Sequence, residues 1–496
     1  MPNEAKTPVD LAVWLGDRVV DCPSLPVRDI HLDSRRVGPG DVFIAVVGRS
    51  ADGRSFIPQA VAQGACAVLL DAGGATPELR RLGVPLLEIA GLSSQLASLA
   101  ARFYGLAAGG VALLGVTGTN GKTTVTHILA QLLNALGEPC GTIGTLGWGM
   151  GGTRHDTGMT TPDAVSSARI LRRLAEAGAH FAAMEVSSHG LHQGRVAQLA
   201  FRAAVFTNLT RDHLDYHGTM VEYGAAKRSL FTRSMPLGVF NIDDDYGAQL
   251  FADHRLCQAR LAYSLANPSA DVYCRQLRYD ADGASGWLVT PWGEAPLQCP
   301  LIGDFNVLNV LACVALLSGL DFQLQRVAGL LPTLKGVPGR VEVVHGGGPL
   351  VVVDYAHTPD ALASVLRAVR RHTRGELRVV FGCGGDRDRG KRPLMGEVAA
   401  QLADRIVLTS DNPRSEPPDA IIADIAEGIG SRDGVTVEVD RAAAIRLALA
   451  EALPSDVVLI AGKGHEDYQE INGVRRPFND AACVNRFYRN ARQECS

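Results

Sequence analysis

The sequence has no apolar run long enough to cross a bilayer. Stretches such as 111–116 and 351–353 fall far short of the roughly 20 residues that a spanning helix needs. Neither sign of charge dominates: 48 Lys and Arg stand against 52 Asp and Glu, mixed along the chain, so nothing electrostatic points to a nucleic-acid partner. Ten cysteines, from Cys22 to Cys495, lack any paired spacing, and no N-terminal segment joins a basic stretch to an apolar run and a small-residue cleavage site. A reduced, cytoplasmic protein is expected, with its cysteines acting mostly as small core residues. Lysine is scarce. Only six occur, and four of them, Lys122, Lys227, Lys391 and Lys463, sit inside glycine-rich or acidic motifs. Such placement hints at work that a planar guanidinium cannot do, although compositional bias also produces arginine-rich chains.

What is present is length and pattern. At 496 residues with 46% hydrophobic residues, the chain exceeds what one core organises, and two to four domains are expected. A strand candidate at 41–47, a helix near 56–63 and a second strand at 66–70 predict a small α/β domain, left through a helix over 93–104. Gly105, Gly109 and Gly110 mark a junction, placing the first domain at 1–108. A second domain, 109–336, opens with the strand 111–116 and a helical pattern reaching Leu133. Further strands at 181–186 and 203–207 predict a mainly parallel sheet covered on both faces. Alternation over 272–298, with a turn at 282–286, predicts an antiparallel excursion. The break at Lys335-Gly336-Val337-Pro338-Gly339-Arg340 precedes a third α/β domain, 337–496, with buried parallel strands at 350–354, 377–381, 405–409 and 456–460. Ligands in such open sheets sit at the C-terminal strand ends.

Between the strand at 111–116 and its helix lies Gly118-Thr119-Asn120-Gly121-Lys122-Thr123-Thr124. Its amides can wrap phosphates, Lys122 can neutralise β/γ oxygens and the Thr123 hydroxyl can hold Mg²⁺. It departs from the common phosphate-loop pattern, which wants glycine where Val116 stands. Two following strand ends carry Glu185 and His213, a carboxylate and an imidazole suited to a divalent metal beside phosphates, though either taken alone reads more readily as a cap or loop contact.

This loop, in this order, resembles the ATP-binding loop of the Mur ligases and folylpolyglutamate synthases. In the Mur ligase family the lysine matching Lys227 is carbamylated and bridges toward a second metal, which implies N6-carboxylysine at Lys227 and a catalytic set of Lys122, Glu185, His213 and Lys227. The resemblance further implies that Thr160, Thr161, Ser187, Gln193 and Arg195 hold a UDP-muramoyl dipeptide whose uridine end meets Ser34 and Arg35. It makes Asn306 an adenine contact, and Arg340, Asp354 and His357 the third-domain residues that close over the nucleotide.

The same resemblance gives the incoming amino acid. Arg387 in the 384–392 loop, Asp411-Asn412-Pro413-Arg414, and Gly462 and Glu466 in the 462–466 loop lie at successive strand ends, where arginines and a glutamate can read a molecule bearing both carboxylate and amine. Asp-Asn-Pro-Arg is the form found in diaminopimelate-adding members, whereas lysine-adding members usually lack this arginine. The implied reaction is ATP- and Mg²⁺-dependent ligation of meso-diaminopimelate to UDP-N-acetylmuramoyl-L-alanyl-D-glutamate through an acyl-phosphate, by a cytoplasmic monomer with no membrane segment. Lysine or folate as alternative substrates are disfavoured by Arg414 and by His192-Gln193-Gly194-Arg195 respectively. A nucleotide-regulated binding protein without turnover is disfavoured by the intact Lys122, Glu185, His213 and Lys227.

Overall fold

The computed structural model describes residues 8–48, 51–106, 110–345 and 348–494. Gly109, with the 108/109 boundary, and Cys495 lie outside them. The first domain is built on four parallel strands, β1 (Ile30–His31), β2 (Val42–Ala45), β3 (Ala67–Asp71) and β4 (Leu86–Ile89), paired in that order. Strands β2 and β3 are nearly continuous apolar runs because both faces are covered. The helix Leu92–Phe103 leads out of the domain.

The second domain holds β5 (Ala112–Thr117), β6 (Cys140–Gly144), β7 (Gly147–Gly149), β8 (Phe181–Glu185), β9 (Phe201–Phe206), β10 (Leu237–Asn241) and β11 (Ala259–Tyr263). Their order is β11-β10-β9-β5-β8-β6-β7, all parallel except the edge strand β7. Central position explains why β5 reads Ala-Leu-Leu-Gly-Val-Thr with five of its six residues buried. Helix α1 (Lys122–Ala135) follows it, and α2 (Asp304–Gly319) is buried on nearly every side, so its sequence is apolar throughout. The expected antiparallel excursion is a three-stranded sheet, β12 (Tyr273–Asp280), β13 (Gly283–Thr290) and β14 (Gly293–Cys299).

In the third domain, β15 (Glu342–His345), β16 (Leu350–Asp354), β17 (Leu377–Phe381), β18 (Arg405–Leu408), β19 (Val435–Val437) and β20 (Val457–Ala461) form a sheet of order β15-β16-β20-β17-β18-β19, with only β15 antiparallel. The crossover that places β20 between β16 and β17 brings the 462–466 loop beside those after β16 and β17. No helix among the described residues is long and apolar enough to cross a membrane. Nine described cysteines are all free, six of them buried and three partly buried.

Two joints connect the domains. Arg169, in the second domain and almost wholly buried, pairs with Asp29 at 3.1 Å and donates to Tyr104 Oη at 3.0 Å, to the Ile30 carbonyl, and toward His31 Nδ1 at 3.1 Å. Between the second and third, His372 accepts from the Gly303 amide at 3.0 Å and bonds the Asp280 carbonyl at 2.6 Å; within the second, Gln131 exchanges two bonds with the Lys335 backbone at 2.8 and 2.9 Å, just before the linker.

Arg441 and Asp480 form a fully buried two-armed ion pair, 2.7 and 2.8 Å, and Arg441 also donates to the Ala461 carbonyl at the end of β20. Asp480→Ala would leave a guanidinium unpaired in the interior. A loss of about 3–5 kcal/mol is expected in equilibrium denaturation. A loss below about 1 kcal/mol would mean that water reaches the site and solvates the cation.

Candidate active site

The β5–α1 turn is a phosphate cradle in geometry as well as sequence. Gly121 lies at φ +85°, and a Cβ there would stand 2.6 Å from Asn309 Oδ1 on α2, so a side chain is excluded on both conformational and steric grounds. Helix α1 starts at Lys122 without a side-chain cap, which leaves its first amides to face the loop. The strand end after β9 braces the other side: Thr119 N donates to the Asn208 carbonyl at 2.8 Å, Asn120 N to Asn208 Oδ1 at 3.0 Å, and Thr207 Oγ1 to the Asn120 carbonyl at 2.6 Å. Lys122 Nζ donates to the Gly118 and Thr119 carbonyls at 3.0 and 2.7 Å, and burial holds its amine below the ordinary lysine range against the pull of Glu185 and Asp212. Thr124 occupies the first turn of α1.

Glu185 ends β8 beside this loop, 2% exposed. Thr123 Oγ1 donates to its Oε2 at 3.0 Å, Thr145 Oγ1 to the same oxygen at 3.1 Å, and Thr145 N to Oε1 at 2.9 Å. Burial raises its carboxyl, with Lys122 and the threonine donors opposing. Gly144 lies so close that any Cβ would overlap the carboxylate. Sequence reading missed both Gly144 and Thr145, because they end and follow β6, a neighbour of β8 only in three dimensions.

From Glu185 a polar network runs outward through every second-domain residue expected to hold the dipeptide. Thr145 Oγ1 bonds Thr160 Oγ1 at 3.0 Å, Thr161 Oγ1 donates to the Glu185 carbonyl at 2.8 Å, and Ser187 N donates to Thr161 Oγ1 at 2.9 Å. Arg195 donates to the Thr161 carbonyl and to Gln193 Oε1, each at 2.6 Å, and Gln193 donates to Tyr216 Oη at 2.9 Å. A crevice lined by Arg36, Asp156, Thr157, Pro162, Arg169 and Arg173 joins this region to the first domain. Ser34 is buried and donates to Gln59, and Arg35 pairs with Asp33 at 2.8 Å on the surface. Arg36, unremarked in the sequence, is the neighbour that reaches the crevice.

Lys227 is 1% exposed, donates to the Gly118 carbonyl at 2.7 Å and lies 4.4 Å from the Tyr223 ring centre. Burial, with Lys122 adding to it, lowers its amine to about 6. His213 packs edge-on against His189 with centroids 4.8 Å apart, and His217 shares a 2.9 Å bond with Ser188. His189, His192 and His217 thus join His213 in one aromatic cluster with Tyr216 and Tyr223. The spacings His189-x-x-His192 and His213-x-x-x-His217 were the signal for it. Among the described residues no three His, Cys, Asp or Glu side chains converge as a ready metal cage. The hard oxygens of Thr123 and Glu185, touching at the phosphate end of α1, fit Mg²⁺, which takes few protein ligands beside phosphates and water.

In the third domain three loops are tied together. Arg414, at φ +52°, donates to the Gly385 carbonyl at 2.7 Å, Gly385 N donates to the Asn412 carbonyl at 2.9 Å, and Asn412 Nδ2 donates to Glu466 Oε2 at 2.8 Å. Buried Arg392 clamps both oxygens of Glu416 at 2.8 and 3.0 Å, fixing the loop that carries the exposed Arg387. Asp411 is buried against Gly462, where a Cβ would come within 2.5 Å of its Oδ2, and burial raises its carboxyl. Pro413 is buried with its carbonyl against Gly385.

Some expected nucleotide contacts are otherwise engaged. Asn306 donates to the Ile302 carbonyl at 2.8 Å and accepts from Asn309 at 3.2 Å, so its amide braces the start of α2 instead of pointing outward. Asp354 accepts from the Val341 and Ala356 amides, both at 2.8 Å, and so anchors the linker backbone; Arg340 lies over the Tyr355 ring, 4.9 Å from its centre. His357 bonds the Tyr355 carbonyl at 2.8 Å and stays exposed. A cleft of about 490 Å³, lined by Thr145, Arg154, His155, Asp156, Pro338 and His465, separates the phosphate-loop side from the third domain.

Loops of the second and third domains thus meet across a cleft, and comparison with known proteins gives the class, a ligase. The Mur ligase family catalytic domain model matches residues 26–104, the Mur ligase middle domain 116–317, and the Mur ligase glutamate ligase domain 339–464. The chain belongs to the Mur ligase family. It is 52% identical over 458 residues to the UDP-N-acetylmuramoyl-L-alanyl-D-glutamate--2,6-diaminopimelate ligase of Pseudomonas aeruginosa, covering 92% of this chain and 94% of that one. The Neisseria meningitidis protein of the same name is 46% identical over 475 residues, 95% and 96% covered. A solved structure of a ligase with that name superposes with a TM-score of 0.77 at 37% identity, covering 98% and 99%. MurF from Acinetobacter baumannii, at 18% identity and a TM-score of 0.66 over 98% and 100%, shares the fold.

Proposed function

We propose that this chain catalyses ATP-dependent ligation of meso-diaminopimelate to UDP-N-acetylmuramoyl-L-alanyl-D-glutamate, giving the UDP-linked tripeptide, ADP and phosphate for peptidoglycan synthesis. The observation that carries the reading is the joining of Arg414, Asn412 and Glu466 into one constellation at the strand ends of the third domain. An arginine and a carboxylate held apart on tied loops match a molecule with a carboxylate at one end and amines to orient.

A glutamyl carboxylate oxygen of the UDP-dipeptide attacks the γ-phosphorus of ATP, breaking its bond to the bridging oxygen and releasing ADP. Lys122 and the amides of Gly118, Gly121 and Thr123 meet the phosphate charge, while the Thr119 and Asn120 amides brace the loop on Asn208. Thr123, Glu185, His213 and a carbamylated Lys227 would hold Mg²⁺, whose charge would neutralise phosphate oxygens. Thr160, Thr161, Ser187, Gln193 and Arg195 orient the dipeptide, with Ser34 and Arg35 at the uridine end. The diaminopimelate amine, its carboxylates met by Arg387 and Arg414 and its ammonium by Glu466, attacks the acyl carbon. The tetrahedral intermediate expels phosphate as the nitrogen loses its proton. Positioning supplies most of the acceleration. The free thiols of the described cysteines suit a reducing cytoplasm.

The test is ADP release with the UDP-dipeptide while the amino acid is varied. Release that requires diaminopimelate and is poor with lysine is expected. Equal release with both amino acids, or none with either, would refute the reading.

A further inference from the structure

Lys463 has no assigned part in the chemistry above, yet it is fully buried at the end of β20, among the loops that read the amino acid. Its Nζ donates to Glu466 Oε2 at 2.9 Å and to Asn412 Oδ1 at 3.1 Å, and it lies 5.6 Å from the Tyr468 ring centre. Asn412 Nδ2 donates to the same Glu466 oxygen at 2.8 Å, and Asn412 Oδ1 also accepts from the Glu470 amide at 2.9 Å. Both lone pairs of the Asn412 amide oxygen are therefore taken inside the protein, and one of its two N–H groups is committed to Glu466. Its orientation is fixed, because a flipped amide would present N–H groups to the lysine and to the Glu470 N–H.

Two donors thus converge on Oε2 of Glu466, whose side chain keeps 20% of its surface exposed. A carboxylate gripped at one oxygen has its plane and direction set, and the other oxygen is offered along a defined line. The ammonium end of an incoming diamino acid needs such an acceptor. Without the lysine, Glu466 is held by one neutral donor and is free to rotate about its last bond.

We propose that Lys463 is a positioning residue for the amino-acid substrate, acting through Glu466 and Asn412. This rests on the reading of the third-domain loops as the diaminopimelate site.

The experiment compares wild type with Lys463→Met, Glu466→Gln and the double variant in the full chain, measuring kcat and the KM of each substrate. Lys463→Met is expected to raise the KM for diaminopimelate about 30-fold or more, the usual scale for breaking a buried charge pair, with KM for ATP and UDP-dipeptide within about twofold. On the Glu466→Gln background the same change is expected to cost less than about threefold, since the oriented carboxylate is already gone. Equal penalties on both backgrounds, or a rise shared by all three substrates, would overturn the proposal. Should Lys463→Met melt below the assay temperature, Lys463→Gln, which keeps an N–H donor, replaces it: a smaller rise confined to diaminopimelate supports positioning, and one extending to ATP overturns it. Absence of diaminopimelate-dependent ADP release in wild type would remove the reading beneath the proposal; an active wild type with an unaltered Lys463→Met would remove the proposal alone.

Discussion

Arg414→Ala is expected to collapse catalytic efficiency with diaminopimelate while changing the already poor lysine reaction far less. The two amino acids share the α-amino acid end and the aliphatic spacer, so the usable difference is a distal carboxylate, which a guanidinium meets with parallel charge-assisted bonds. Arg414 is half-buried, and its Nη1 is fastened to the Gly385 carbonyl. Its backbone is clamped as well, N to the Glu470 carbonyl at 3.0 Å and the Arg414 carbonyl to Asn472 N at 2.6 Å. The left-handed φ of +52° burdens alanine as it does arginine, so that strain largely cancels from the comparison. Losing one partner of a desolvated charge pair costs about 2–5 kcal/mol, roughly 30- to several-thousand-fold. Arg387 on the neighbouring loop softens the loss if it keeps part of the carboxylate paired. The measurement is kcat/KM for both amino acids in both proteins. Equal losses would assign Arg414 to the shared α-carboxylate or to the loop architecture, and the case for diaminopimelate would lose its chief support.

Lys227→Ala is expected to abolish most turnover, about 100-fold or more on the scale of removing one group that stabilises transition-state charge, with the fold retained. A lysine must be neutral to capture CO₂, and burial brings this amine to about 6, so at pH 7.5 most of it is unprotonated. Its contact with the Gly118 carbonyl places it against the phosphate loop, where a carbamate would add two oxygens. Arginine at this position would keep a positive charge and could form no carbamate, so Lys227→Arg should fail as completely as alanine. A short carboxylate added to Lys227→Ala should restore part of the rate by standing where the carbamate's oxygens belong. Intact-protein mass spectrometry and circular dichroism accompany the kinetics. Full activity in a protein whose Lys227 carries no added CO₂ would sink the assignment.

Much of this architecture was legible because local sequence reports burial. The runs forming β5, β16, β17 and β20 are apolar on both faces since parallel strands are covered on both sides, and the alternation of β12 to β14 reports a sheet with one wet face. The turn expected at 282–286 is tighter than read: Gly283 already begins β13, so the glycines signalled a hairpin without its register. The loop around Lys122 was legible because strand, glycine and helix are contiguous. What stayed hidden depends on strand order. Thr145 meets Glu185 only because β6 pairs with β8, and Lys463 meets Asn412 only because β20 crosses into the middle of its sheet. Asn306 is an adenine contact by resemblance alone; read locally, its amide at the start of a helix suits a backbone partner, and it turns back on the Ile302 carbonyl.

The joint at Arg169 sets a length. A guanidinium enclosed by Asp29, Tyr104, His31 and the Ile30 carbonyl ties the first domain to the second at one point. On the proposed reading of Ser34 and Thr160 as substrate contacts, the span between them is then a gauge against which a substrate is measured. A UDP-linked peptide one residue shorter or longer would reach both ends and yet carry its carboxylate short of the phosphate loop or past it.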